Sequence, residues 1–135
     1  MRKFEVIGTP VAKGRPRVTK WGAYTPEKTV NYENLVQFSY LQEYKNIEPL
    51  EGYLKIEIAF YMPIPKSTSK KNRELMIGWK LLPDKKPDID NMIKSITDAL
   101  NELAYQDDKQ IVEVHAYKYY SEEPKAVVMI NKLIR

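Results

Sequence analysis

Residues 53–62 most constrain the fold. Leu54, Ile56, Ile58, Phe60 and Met62 alternate with Tyr53, Lys55, Glu57, Ala59 and Tyr61, a period of two sustained over ten residues. Successive side chains of an extended chain point to opposite faces, so the pattern predicts a strand with one face in a core. Pro63 and Pro65 withdraw backbone donors and end it. Such a strand cannot be satisfied alone; its partners and a covering layer must come from the rest of the chain.

Phe4-Glu5-Val6-Ile7-Gly8 reads as a short first strand. Residues 9–24, rich in proline, glycine and basic side chains, read as a loop. Thr25 as N-cap and Pro26 at the first helical position predict a helix running to about Lys45 and burying Val30, Leu35, Phe38 and Leu41. Within residues 67–79 a further helix can begin near Ser69, although the dense positive charge there could equally leave the segment mobile without a ligand. Residues 90–103 predict a second main helix, with Ile93, Ile96, Leu100 and Leu103 as its apolar stripe. Residues 111–119 and 126–130 read as strands joined through Ser121-Glu122-Glu123-Pro124 as a hairpin. There are no internal repeats. The expected architecture is one α+β domain over residues 1–135, with two main helices on a mixed or mostly antiparallel sheet in the order β-α-β-(α)-α-β-β.

Composition narrows the chemistry. The absence of cysteine excludes disulfides, thiolate zinc sites and cysteine nucleophiles, and His115 is the single histidine. Any catalytic metal must be held mainly by oxygen, which points to a hard cation such as Mg2+. No apolar run approaches the roughly 18–20 residues that span a bilayer, and the start of the chain lacks an apolar signal core, so a cytoplasmic protein without membrane contact is expected. The net charge of +4 is modest, but its distribution is uneven. Arg2, Lys3, Lys13, Arg15, Arg17 and Lys20 share the first twenty residues with one acid, Glu5, and Lys66, Lys70, Lys71 and Arg73 form a second cluster. Both clusters suit a DNA phosphate backbone, although solvated lysine-rich loops would look the same.

Asp88 and Asp90 straddle the predicted start of the second helix, where exposed N–H groups favour negative charge. An ordinary N-cap accounts for one of them but not for both. Lys94 lies four residues after Asp90 and shares a polar face with Thr97, Asp98 and Asn101; a solvated i,i+4 pair is its plainest explanation. Asp107 and Asp108 occupy the turn before residue 111, where polar residues are unremarkable. Together, however, these acids offer oxygen ligands for one or two magnesium ions, with Lys94 as a nearby cation. That is the set metal-assisted phosphodiester cleavage requires.

The ordered motifs Asp88-Ile89-Asp90-Asn91-Met92-Ile93-Lys94, Asp98-Ala99-Leu100 and Asp107-Asp108-Lys109-Gln110-Ile111-Val112 resemble the RusA family of Holliday-junction resolvases. The resemblance implies that Asp88, Asp90 and Asp108 bind the metal and that Lys94 is catalytic. It also implies Mg2+ as cofactor, with Mn2+ able to substitute, no nucleotide cofactor, and a homodimer acting on four-way DNA junctions. Family members are often prophage-encoded. The interval after Asp88 is one residue shorter than in the bacterial prototype, which brings both Asp107 and Asp108 into question; the register of Lys109-Gln110 favours Asp108. Lys13-Gly14-Arg15-Pro16-Arg17 with Tyr24-Thr25-Pro26 resembles a segment of phage-type members, and Lys13, Arg15, Arg17, Lys66, Lys70, Lys71 and Arg73 are expected to contact DNA. Other branched targets, such as flaps or forks, and non-catalytic DNA binding are the competing readings.

Geometry sets one further condition. A helix over residues 90–103 is roughly 20 Å long, so Asp108 can join Asp88 and Asp90 in one subunit only if that helix is shorter or the chain doubles back. Otherwise a dimer partner must supply Asp108 in trans.

Overall fold

In the computed structural model, which describes residues 1–134, the alternating segment forms strand β4, Leu54–Pro63. Its apolar set, Leu54, Ile56, Ile58, Phe60 and Met62, is buried as the period of two requires. The sheet also contains β1, Arg2–Ile7; β5, Ile111–Ser121; and β6, Lys125–Lys132, in the order β1-β6-β4-β5. β6 runs antiparallel to both β1 and β4, whereas β4 and β5 are parallel. The architecture is a mixed α+β domain.

The hairpin expected between β5 and β6 does not form. The chain reverses after Ser121, but β4 lies between the two strands and pairs with both. Turn residues dictate that a chain reverses, not which edge it joins. β4, with a continuous apolar face, takes the interior position where both its edges are hydrogen-bonded. Its parallel pairing with β5 needs a long crossover, supplied by the helical segments between them.

The first main helix, α1, is Glu27–Glu43. Pro26, not Thr25, takes the N-cap position, and no side chain caps it. The expected buried face is also corrected: Thr29, Tyr32, Val36 and Tyr40 face the core, while Val30, Leu35, Phe38 and Leu41 lie outward, Phe38 being 60% exposed. Both faces carry apolar groups, so contacts decide the rotation. Tyr40 meets the Phe4 ring edge-on at 5.4 Å and its hydroxyl accepts from Arg2 at 2.6 Å, and the Tyr44 hydroxyl accepts from the Lys3 N–H at 2.6 Å. Tyr40 buries a large ring while keeping its polar tip hydrogen-bonded, whereas the buried Tyr32 hydroxyl has no partner among the described residues and is buried for its ring alone.

Helix α2 is Lys70–Ile77 and begins beside Ser69 as expected; the Ser69 hydroxyl caps it by accepting from the Asn72 N–H at 3.2 Å. Helix α3 is Ile89–Ala99, shorter than the expected 90–103. Met92, Ile96, Ala99 and Leu100 are buried, and Ile93 and Leu103 pack against the same core. After Leu100 the backbone turns through Glu102, with a left-handed φ of 67°, and folds back. The buried Tyr105 hydroxyl then donates to the Thr97 carbonyl at 2.5 Å. Within residues 9–24, read as a loop, β2 (Arg17–Thr19) and β3 (Gly22–Tyr24) form a small antiparallel hairpin. Among the described residues no helix is long and apolar enough to cross a membrane.

Candidate active site

Asp88 occupies the N-cap position of α3, yet its carboxylate makes no capping hydrogen bond. Its backbone carbonyl accepts from the Met92 N–H at 3.1 Å, so the helix starts without using the charge. Asp90 follows in the first turn, and both acids are exposed and take part in none of the salt bridges among the described residues. The segment before them is anchored from β5, where the Lys118 ammonium donates to the carbonyls of Lys85 at 2.8 Å and Pro87 at 2.7 Å.

Four residues per step carry one face of α3 from Asp90 to Lys94 to Asp98. Lys94 lies 3.7 Å from Asp98, with its side chain 60% exposed. The shortened α3 and the reversal after it bring Asp108 back along the same face. Its N–H donates to Asn101 Oδ1 at 2.9 Å, and its carboxylate lies within electrostatic reach of Asp98 and Lys94. Helix α3 is shorter than expected and the chain does return, which brings Asp108 to Asp98 and Lys94 but not into one ligand cluster with Asp88 and Asp90 among the described residues.

The two acids of the turn differ. The Asp107 carboxylate accepts from the Lys109 N–H at 2.8 Å in a capping box with Gln110, and this hydrogen bond holds its pKa below the usual range. Asp107 is thus occupied in starting the turn of 3-10 helix over Asp108–Gln110. The Asp108 pKa is pushed upward, by burial first and then by Asp107 and Asp98, with Lys94 opposing. Like charges are concentrated there.

Lys13, expected at a DNA surface, instead turns inward, its side chain 19% exposed. Its ammonium sits 2.9 Å from Glu33 and 3.4 Å from Asp98. Burial alone would lower its pKa; the hydrogen bond and charge of Glu33, reinforced by Asp98, more than offset that and raise it. The Lys13 N–H also donates to the Asn91 carbonyl at 2.8 Å, and Ser95 Oγ donates to the Val11 carbonyl at 2.7 Å. These bonds bind the N-terminal segment along α3. Gly14 makes the close approach possible, since a Cβ there would lie 2.9 Å from both Pro26 Cγ and Thr29 Oγ1.

Arg15 and Arg17 remain exposed, as do Lys66, Lys70 and Lys71, while Arg73 is half-buried and pairs with Glu122 at 3.0 Å. Three participants had no role assigned from sequence. Asp98 carried a signal, its helical phase with Asp90 and Lys94. Glu33 and Lys118 carried none, because their partners lie 20 or more residues away.

Aspartates and a lysine suit a hard divalent cation, and the raised Asp108 is a carboxylate that such a charge would relieve. Yet among the described residues no three aspartate, glutamate, histidine or cysteine side chains stand close enough together to hold a metal ion. The donor chemistry fits; the side chains are not drawn together into a coordination shell.

Fold and site together define a small α+β domain whose charged centre is built from one helix, the returning turn and a basic N-terminal segment. The family described as Endodeoxyribonuclease RusA matches residues 8–131. The chain is also 38% identical over 137 residues to the uncharacterized protein YqaN of Bacillus subtilis (strain 168), an alignment spanning 97% of this chain and 96% of that protein. The chain belongs to the RusA family.

Proposed function

We propose that this protein is a magnesium-dependent endonuclease that resolves Holliday junctions as a homodimer, with manganese able to replace magnesium. The observation that carries the reading is the Asp88 carboxylate, fixed at the head of α3 and left unused by the helix it begins. Asp88, Asp90 and Asp108 present anionic oxygens for the cation. Lys94 offers a charge to the scissile phosphate, and Asp98 with Lys13 holds Lys94 and the N-terminal segment in place. Magnesium, when bound, supplies Lewis acidity and an activated water. A non-catalytic DNA-binding protein is the weaker reading, because unpaired carboxylates beside phosphates repel them. The test is nicking of a synthetic four-way junction: paired nicks with magnesium and none with EDTA are expected. Binding without cleavage would leave DNA binding alone, and preferential cutting of flaps or forks would move the substrate to another branched structure.

Two symmetric nicks call for two symmetric sites, which a two-fold dimer supplies. The outward apolar side chains of α1, Val30, Leu35, Phe38 and Leu41, are the surface we assign to it, because they are exposed apolar groups gathered on one helix that a second copy would remove from water. Phe38→Glu is expected to shift the protein from dimer to folded monomer in sedimentation. A Phe38→Glu protein that folds and remains dimeric would move the interface elsewhere.

A further inference from the structure

The β2–β3 hairpin has no part in the core, and its composition is unusual for a solvated turn. Trp21 at its tip is 87% exposed, and Val18 and Tyr24 on its strands are also exposed. The turn is locally well made. Thr19 Oγ1 accepts from the Trp21 N–H at 3.1 Å and donates to the Gly22 carbonyl at 3.2 Å, and Gly22 adopts a left-handed φ of 121°. The indole is therefore presented by an ordered turn. The Lys20 ammonium lies 5.0 Å from its ring centroid, so a cation accompanies the aromatic face.

At the foot of the hairpin lies a groove of about 720 Å³ between the N-terminal segment, the start of α1 and the head of α3. Arg15, Arg17, Lys28 and Lys86 line it together with Asp88 and Asn91. Four cations lining a groove that also holds a candidate catalytic acid suit a polyanion. An exposed indole flanked by cations suits an unpaired base, whose flat face is free to stack. Continuous duplex DNA offers no such face, because each base is already covered above and below. A strand leaving a branch point offers both a base face and a flexible backbone.

We infer that the β2–β3 hairpin is a base-stacking arm that recognises branched DNA. Trp21 stacks on an unpaired or terminal base at the branch, while the groove beneath it carries the backbone of that strand to Asp88. This rests on the nuclease reading above and adds the means by which branched DNA is told from duplex.

Trp21 and Trp79 are the two tryptophans, and Trp79 is already stacked on Tyr119 at 4.4 Å. Trp79→Phe keeps an aromatic ring there and leaves Trp21 as the sole tryptophan, read by exciting at the red edge where tyrosine does not absorb. In EDTA, which prevents cutting, a four-way junction or a gapped duplex should quench Trp21, and continuous duplex of the same sequence should not. Trp21→Ala should weaken junction binding about tenfold or more and leave duplex affinity unchanged, with Trp21→Phe restoring most of the loss. Arg15→Gln with Arg17→Gln should weaken both DNAs and flatten the salt dependence of binding. Equal quenching by duplex and junction, or a Trp21→Ala protein that still prefers junctions, overturns the inference. So does a Trp21→Ala protein that changes oligomeric state with DNA affinity intact. Failure of the wild-type protein to cut with magnesium overturns the nuclease reading alone, since quenching is read without cleavage.

Discussion

Asp88→Asn, Asp90→Asn and Asp108→Asn are each expected to abolish junction cleavage while junction binding survives or tightens. Asparagine keeps the shape of the side chain and removes the charge that would hold a divalent cation, and repulsion of the phosphates falls with it. Because the Asp88 carboxylate makes no capping bond, Asp88→Asn should leave the melting temperature of α3 and its surroundings nearly unchanged. An active Asp88→Asn or Asp90→Asn protein that merely melts earlier would return that acid to a structural role.

Asp108 carries an additional consequence. Its carboxyl is held above the usual range by burial, Asp107 and Asp98. A carboxyl with a higher pKa in the folded than in the unfolded chain binds its proton more tightly when folded. Its ionisation therefore opposes folding at pH values above the ordinary carboxylate range. Asp108→Asn should thus stabilise the fold in EDTA at neutral pH by less than about 1 kcal/mol, because solvent screens the group, and so raise the melting temperature slightly. A lower melting temperature would show that the turn needs the Asp108 carboxylate. If each site lies within one subunit, mixing Asp88→Asn with Asp108→Asn protein restores nothing; returning activity would assign the site to both subunits.

Lys94→Ala should lower the cleavage rate at saturating DNA by about a hundredfold or more, the cost of removing a cation aimed at developing charge. Stability should barely move. Lys94 is mostly exposed and lies 3.7 Å from Asp98 as an i,i+4 pair, an arrangement that contributes about 0.2–0.5 kcal/mol. Single-turnover cleavage beside thermal melting separates the two effects. A defect cured by raising protein concentration would make Lys94 a phosphate contact instead.

What the sequence by itself determined was local. The period of two in β4, the apolar stripe of α3, the helix start near Ser69 and the polar face from Asp90 through Lys94 to Asp98 are properties of neighbouring residues. Backbone geometry converts them directly into strand, helix and shared face. Family membership was legible for the same reason, since its motifs are short ordered runs.

Tertiary structure decided the rest through competition between distant partners. Two faces of α1 were apolar enough to be buried, and Phe4, Arg2 and Lys3 selected the tyrosine face. Both β5 and β6 could have joined as a hairpin, and β4 came between them. Asp107 and Asp108 stand side by side in sequence, yet the turn captures one carboxylate and the returning chain brings the other within electrostatic reach of Asp98 and Lys94. Lys13 shares its basic segment with Arg15 and Arg17, but only its ammonium is drawn inward, by Glu33 and Asp98. Charge, length and periodicity are written along the chain; which of several equivalent groups is consumed by an internal contact depends on residues far away in sequence.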